Sequence, residues 1–219
     1  AVLYAYYQKT ITVSYDKNDG TGTIPSASGK KTYISKAVGT TASTALTTLN
    51  PSITVSDGSG FTRTGYVFSG WNTKADGTGK NYAKSEKAEF SESTTLYAIW
   101  NVKRIKVVFM RNISSSDTVT DSQEYTYGVS GQKFSSRGWD NDYTGHNLSG
   151  WTDKVSTYSV TNGISNDWIN NKYDNPNSID SSGNHIVNLY GVWSANKYTV
   201  VYNGNGATGG TTATSNHTY

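Results

Sequence analysis

Few side chains in this 219-residue chain have the types and spacing that chemistry needs. Gly204-Asn205-Gly206-Ala207-Thr208-Gly209 has the glycine spacing of a dinucleotide-binding turn and follows an apolar run. Such a turn works only where a helix starts at once, aiming its N-terminus at the pyrophosphate, with an acid about 20 residues further on. Gly210-Thr211-Thr212 is a poor helix start, so a glycine turn closing a hairpin is the better reading. Asp16-x-Asn18-x-Gly20 and Asp140-Asn141-Asp142 offer oxygen ligands of the kind calcium takes. Neither is completed by the loop's terminal Glu, and both compositions form turns in their own right. His146, His185 and His217 lack HExxH-type spacing and read as solvated or loop residues, and the chain has no Cys. No thiolate or paired-histidine metal site is therefore expected. Gly77-Thr78-Gly79-Lys80 lacks the rest of a phosphate loop, and no Gly-x-Ser-x-Gly elbow occurs. Glu86, Glu89 and Glu92 fall in a mixed charged stretch that reads as a solvated face. The expectation is a protein that is not an enzyme, with no catalytic residues, no cofactor and no metal.

Aromatic residues are the other candidate chemistry. Trp71, Trp100, Trp151 and Trp193 recur at matched positions and could form a platform for sugar rings. As core residues each would bury roughly 150–250 Å², worth several kcal/mol at about 25 cal/mol per Å². The core reading is taken for these four and for Leu96, Leu189, Phe68 and Leu148. Trp139 and Trp168 have no counterparts in the first half, so with Tyr143 they are the expected partner contacts. A Lys–Asn isopeptide crosslink suits surface repeats, but nothing in the sequence singles out a pair.

The elements that would position these residues repeat. Leu3-Tyr4-Ala5-Tyr6-Tyr7, Leu96-Tyr97-Ala98-Ile99-Trp100 and Leu189-Tyr190-Gly191-Val192-Trp193 begin 93 residues apart. Each is followed within a few residues by an alternating apolar run, beginning at Ile11, Ile105 and Tyr198. A fixed period means an array of like units. It divides the chain into the end of a preceding repeat (1–8), a first unit (9–100), a second unit (101–196) and the truncated start of a third (197–219). This is the pattern of beads on a string within something longer. Only Asn101-Val102-Lys103-Arg104 joins the closing and opening strands, and four extended residues span at most about 14 Å. The two strands are either the ends of adjacent domains or one hairpin.

Within unit one, Ile11, Val13 and Tyr15 alternate against polar residues as a half-buried strand. Tyr66, Phe68 and Gly70 should face one way and Val67, Ser69 and Trp71 the other. Leu96–Trp100 reads as a strand buried on both faces, and Ser35–Leu49 as a stretch that could hold a short helix. In unit two, Tyr143–Trp151 matches Arg63–Trp71 with 80 residues between the two tryptophans. The deficit returns as an Asn/Ser-rich insertion, 156–182, expected on an exposed loop.

Composition agrees with β structure: Tyr numbers 17 of 219, with abundant Thr and Gly. The formal charge of +3 is small and forms no basic block, which argues against nucleic-acid binding. No apolar run approaches the roughly 18 residues of a membrane span.

Together, Tyr15-Asp16-x-Asn18-x-Gly20, Arg63-Thr64-Gly65-Tyr66-Val67-Phe68-Ser69-Gly70-Trp71-Asn72 and Thr94-Thr95-Leu96-Tyr97-Ala98-Ile99-Trp100 resemble the Listeria–Bacteroides repeat, the family that includes the internalin B-repeat. Unit one covers the pattern from end to end. Unit two departs from it at Asn112-Ile113-Ser114, in place of the glycine turn, and at His146-Asn147. The resemblance implies mainly β, β-grasp-like units with little helix, in tandem, in secreted or cell-wall-associated bacterial surface proteins. It implies roles as spacer or stalk and in adhesion to a host or neighbouring-cell protein or glycan, with phage virions as another setting. A glycan-binding module and a self-assembling virion or filament subunit are the alternative readings.

Overall fold

The computed structural model describes residues 2–38 and 46–219. These fall into two compact units, 1–102 and 103–219.

Unit one carries β1 (Val2–Asp16), β2 (Thr21–Gly22), β3 (Ala27–Val38), β4 (Leu46–Leu49), β5 (Ser52–Thr54), β6 (Phe61–Thr62), β7 (Tyr66–Asn72), β8 (Asn81–Tyr82), β9 (Lys87–Glu89) and β10 (Thr94–Val102). Its main sheet has the order β4-β3-β1-β10-β7-β8. β1 is antiparallel to β3 from Val2 to Val13 and runs parallel to β10 from Val13 to Asp16. Of residues 1–8, expected as the end of a preceding repeat, the described residues 2–8 lead without a break into the opening strand. The helix considered within Ser35–Leu49 is replaced at its described ends by β3 and β4, and residues 39–45 lie outside the described residues.

Unit two carries β11 (Arg104–Met110), β12 (Thr120–Thr126), β13 (His146–Thr152), β14 (Thr157–Ser159), α1 (Asn166–Asp174), β15 (Ser178–Ile179), β16 (His185–Ala195), β17 (Lys197–Val200) and β18 (Ser215–Thr218). The order β12-β11-β16-β13-β14 repeats that of β3-β1-β10-β7-β8, again with opening and closing strands parallel. β10 and β11 belong to different sheets, and only Lys103 lies between them. The protein is mainly β, and α1 is the one helix among the described residues.

Each unit has its own apolar core. Ile11, Val13, Trp71, Leu96 and Ala98 lie at the centre of the first, and Ile105, Val107, Phe109, Trp151 and Leu189 at the centre of the second. β10 departs from the expectation of burial on both faces. Leu96 and Ala98 are buried while Tyr97 and Ile99 are half-buried, because the sheet is covered fully on one side only.

The Ser-Gly-Trp triplets also depart from simple alternation. Pairing of β10 with β7 slips between Ile99 opposite Gly70 and Trp100 opposite Phe68, leaving Ser69 as the extra residue of a bulge. Ser149 is passed over in the same way between Leu148 and Gly150. A bulge shifts the side-chain phase by one. Phe68 and Trp71, assigned by strict alternation to opposite faces, therefore meet in one core with ring centroids 4.8 Å apart. The glycine is needed because the neighbouring strand is close. A Cβ on Gly150 would stand 2.3 Å from the Tyr158 carbonyl oxygen, and one on Gly70 3.0 Å from that of Tyr82.

The Asn/Ser-rich insertion is not an exposed loop. It supplies β14, α1 and β15. Ser165 caps α1, its side chain accepting from Trp168 N at 3.1 Å, and Ile169 is fully buried. One cap and one apolar anchor hold a nine-residue helix that would be marginal alone.

Candidate functional site

The constructions the two units share lie where the opening strand leaves the sheet. Asn18 (φ 44°) and Asn112 (φ 61°) take left-handed backbone, which Asn tolerates better than most residues. Asn18 Nδ2 donates to the Ala98 carbonyl at 2.9 Å and to that of Ala75 at 2.8 Å. Asn112 Nδ2 donates to the Gly191 carbonyl at 3.0 Å. The preceding carbonyls are also used. Trp100 Nε1 donates to Lys17 O at 3.0 Å, and Trp193 Nε1 to Arg111 O at 2.8 Å. A tryptophan and an asparagine thus tie the turn to the closing strand. Asn112, which departs from the glycine-turn pattern, keeps the role of Asn18. Trp100 and Trp193 are only half-buried and pack on the edges of their cores.

Buried polar groups organise the loops. Asn72 is fully buried; its Nδ2 donates to the carbonyls of Gly77 and Gly79 and to Asn81 Oδ1, and its Oδ1 accepts from Lys74 N and Gly79 N. It holds the Asp76–Gly77 turn as a folded loop. In unit two, Asp153 Oδ2 accepts from Lys172 Nζ at 2.7 Å and from Tyr158 OH at 3.1 Å. Tyr158 OH accepts in turn from Trp168 Nε1 at 3.1 Å. Burial raises the Asp153 pKa, but Lys172 and the amides of Ser156 and Val155 outweigh it and hold the group at about 2. Arg111 pairs with Asp117 at 3.0 Å and Asp142 at 2.8 Å. Its guanidinium holds the Asp117 carboxyl well below the ordinary range.

The residues expected to contact a partner are placed differently. Trp139 is a core residue, 9% exposed, with its ring 5.8 Å from that of Trp151. Trp168 packs edge-on to Phe134 and Tyr158 with its indole N–H satisfied. Tyr143 stacks on His146 at 4.0 Å and meets Trp193 edge-on. These three therefore do not form an open platform. Trp139 and Trp168, which have no counterparts in unit one, pack in or against the core of unit two. Among the assigned core residues, Trp71, Trp151, Leu96, Leu189, Phe68 and Leu148 are all buried.

His146 and His185 differ from solvated loop residues, being half-buried on strands β13 and β16, whereas His217 is exposed on β18; each lies against a tyrosine. His146 lies on Tyr143, His185 on Tyr173 at 3.7 Å, and His217 on Tyr198 at 5.4 Å. Gly204–Gly209 lies in the loop between the paired strands β17 and β18, with no helix after it. Among the described residues no three His, Cys, Asp or Glu side chains are grouped to hold a metal ion. No described helix is long and apolar enough to cross a membrane.

Open aromatic rings lie elsewhere: on the N-terminal half of β1, where Tyr4 and Tyr6 take one face and Tyr7 the other, and at Tyr198, Tyr202 and Tyr219. Tyr4, Tyr6 and Tyr7 are 55%, 69% and 66% exposed, and Tyr7 pairs with Tyr33 at 5.7 Å. Sequence reasoning missed the β1 tyrosines because they align with Tyr97, Ile99 and Trp100, in a closing strand read from the sequence as buried on both faces. Their density in one strand was the available signal.

Comparison with known proteins places these features. The chain is 29% identical over 163 residues to a protein of Evansella cellulosilytica named as a Gly-rich membrane protein. That match covers 70% of this chain but 17% of the relative, so the chain spans a small part of the relative's length. No solved structure gives a significant match. Residues 12–99, from the opening strand through the Asn18 turn and the Ser-Gly-Trp bulge to the closing strand, match the model of the Listeria-Bacteroides repeat domain. Unit one therefore belongs to the Listeria-Bacteroides repeat family.

Proposed function

We propose that this chain is a non-catalytic repeat segment of a bacterial surface protein, serving as a spacer that also presents an adhesive surface. The observation that carries the reading is the duplicated construction: two cores, each closed by the same tryptophan and asparagine contacts, with one residue between their strands. Stability drawn from contacts within each unit lets such units be strung together without long-range pairing. The repeat family and the relative named as a membrane protein support a cell-surface setting. The exposed Tyr4, Tyr6 and Tyr7 support adhesion, since tyrosines combine apolar area with a hydrogen-bonding tip. A host or neighbouring-cell protein or glycan, or a like repeat, is the class of partner.

Pulling the chain from its ends tests the spacer role. Two separate unfolding events are expected; one cooperative event would overturn it. For adhesion, the chain is presented to a glycan array and to immobilised host-cell surface protein. Retention that falls at least tenfold in a Tyr4→Ser, Tyr6→Ser, Tyr7→Ser variant supports the reading. No retention, or retention untouched by these changes, removes the adhesive half.

A further inference from the structure

Two acceptors and an aromatic ring converge on the amine of Lys103, the first residue of unit two. Lys103 Nζ donates to Asn170 Oδ1 at 2.8 Å and to Asp174 Oδ1 at 2.7 Å. It also lies 5.2 Å from the centroid of the Tyr173 ring. The side chain is only 11% exposed, unusual for a lysine. Both ends of the contact are anchored. The Lys103 carbonyl accepts from Tyr127 N at 3.0 Å, and β11 starts at the next residue. Asn170 and Asp174 are one turn apart on α1 and so share a face, and Ile169 fixes that helix in the core.

A lysine near the last turn of a helix complements the dipole and pairs with an acid, which accounts for Asp174. It does not call for the same amine to be held against an uncharged amide. An amine on a carboxamide carbonyl, with a carboxylate on the amine, is the arrangement that amide exchange requires. The carbonyl carbon is one bond, about 1.2 Å, from the contacted oxygen. Side-chain rotation alone can bring Nζ onto it.

We propose that Lys103 and Asn170 form an intramolecular isopeptide bond, with Asp174 as the catalytic residue that relays protons. Asp174 takes a proton from the Lys103 ammonium, and the freed lone pair forms the Nζ–Cγ bond to Asn170. Asp174 hands its proton to Nδ2, the Cγ–Nδ2 bond breaks, and the second proton leaving Nζ goes out with the departing nitrogen. The products are one secondary amide and one ammonium ion. No oxidant, metal or cofactor is required. The bond closes a ring between residues 67 positions apart. Tension entering unit two at Lys103 would pass directly to α1, so 104–169 would bear none of it. This inference does not rest on the proposed spacer role.

Intact-mass measurement of the 219-residue chain after incubation at neutral pH is the test. The chain is expected to be lighter than its sequence by one ammonia, about 17 Da, and protease digestion should give a branched peptide joining Lys103 to Asn170. Lys103→Arg keeps the cation and its pairing but cannot form this bond, so it and Asn170→Ala should show full sequence mass. Asp174→Asn should slow the loss at least tenfold. Under force, unit two should extend by roughly 220–240 Å less than in Lys103→Arg, from about 3.3–3.6 Å per hidden residue. Full sequence mass in the unaltered chain overturns the proposal, as does an ammonia deficit that persists in Lys103→Arg. Unchanged kinetics in Asp174→Asn overturns the role given to Asp174.

Discussion

Trp100 reaches across from the closing strand to donate its indole N–H to the carbonyl of Lys17, 3.0 Å away, just before the left-handed Asn18. Trp193 and Arg111 repeat the contact, although the residues after Arg111 depart from the turn pattern of unit one. What the units hold in common is this bonding arrangement, more than the glycines.

Asn112→Ala should therefore destabilise unit two by about 1–3 kcal/mol, through the lost bond to Gly191 and the strained backbone left to alanine. Asn112→Gly should recover the backbone part alone. Urea midpoints of the three proteins order the effects. Equal stability of all three would refute the role.

At the bulge, Gly150→Ala brings a methyl within 2.3 Å of the Tyr158 carbonyl oxygen, closer than any relaxed contact. The short strand β14 should be forced off β13, with faster amide exchange across Thr157–Ser159 and a loss of about 2 kcal/mol or more. Protection unchanged in that segment would contradict the packing.

Trp71→Phe and Trp151→Phe make a matched pair. Trp71 Nε1 donates to Ser56 O at 2.7 Å, whereas Trp151 Nε1 is buried with no hydrogen-bond partner among the described residues. Both changes open a cavity, but only the first removes a hydrogen bond, leaving Ser56 O with the long contact from Ser85 N at 3.5 Å, and only the second removes an unsatisfied donor. Trp71→Phe should cost more by about 1–2 kcal/mol, and Trp71→Ala about 3–5 kcal/mol in all. Thermal melts of both phenylalanine variants decide it; equal losses would count against the asymmetry.

Acid stability of unit two follows from Asp153, whose side chain is 7% exposed and whose pKa is held at about 2. A depressed carboxyl stabilises the fold above its unfolded pKa, near 3.9, and loses that contribution as pH falls through the folded value. Between roughly pH 4 and pH 2 about 2 kcal/mol should disappear. Asp117, held low by Arg111, extends the loss to still lower pH. Lys172→Met should flatten the Asp153 part. Urea titrations at pH 5, 3 and 2 check this, and an unchanged slope in the variant would refute it.

Much of this was legible in the residues. The 93-residue spacing of Leu3, Leu96 and Leu189 pointed to an array of like units, and Leu96, Leu189, Trp71 and Trp151 marked core positions because apolar burial leaves its period in a sequence. Three things were hidden. Ser69 and Ser149 look like ordinary strand residues, so the bulge that returns Trp71 and Trp151 to the core was masked by strict alternation. Ser165-Asn166-Asp167 before Trp168-Ile169 is a capped helix start, concealed within an Asn/Ser-rich stretch. Lys103, Asn170 and Asp174 converge only through tertiary folding, which no local pattern encodes.

The unequal bonding of the two central tryptophans also gives the molecule an optical asymmetry. Trp71 is bonded to a carbonyl, while Trp151 Nε1 is buried with no hydrogen-bond partner among the described residues, so its excited state has less polar relaxation and should emit further to the blue. In a variant that keeps only Trp71 and Trp151 of the six tryptophans, the wavelength lost first on heating or stretching would identify which unit yields, with no label attached.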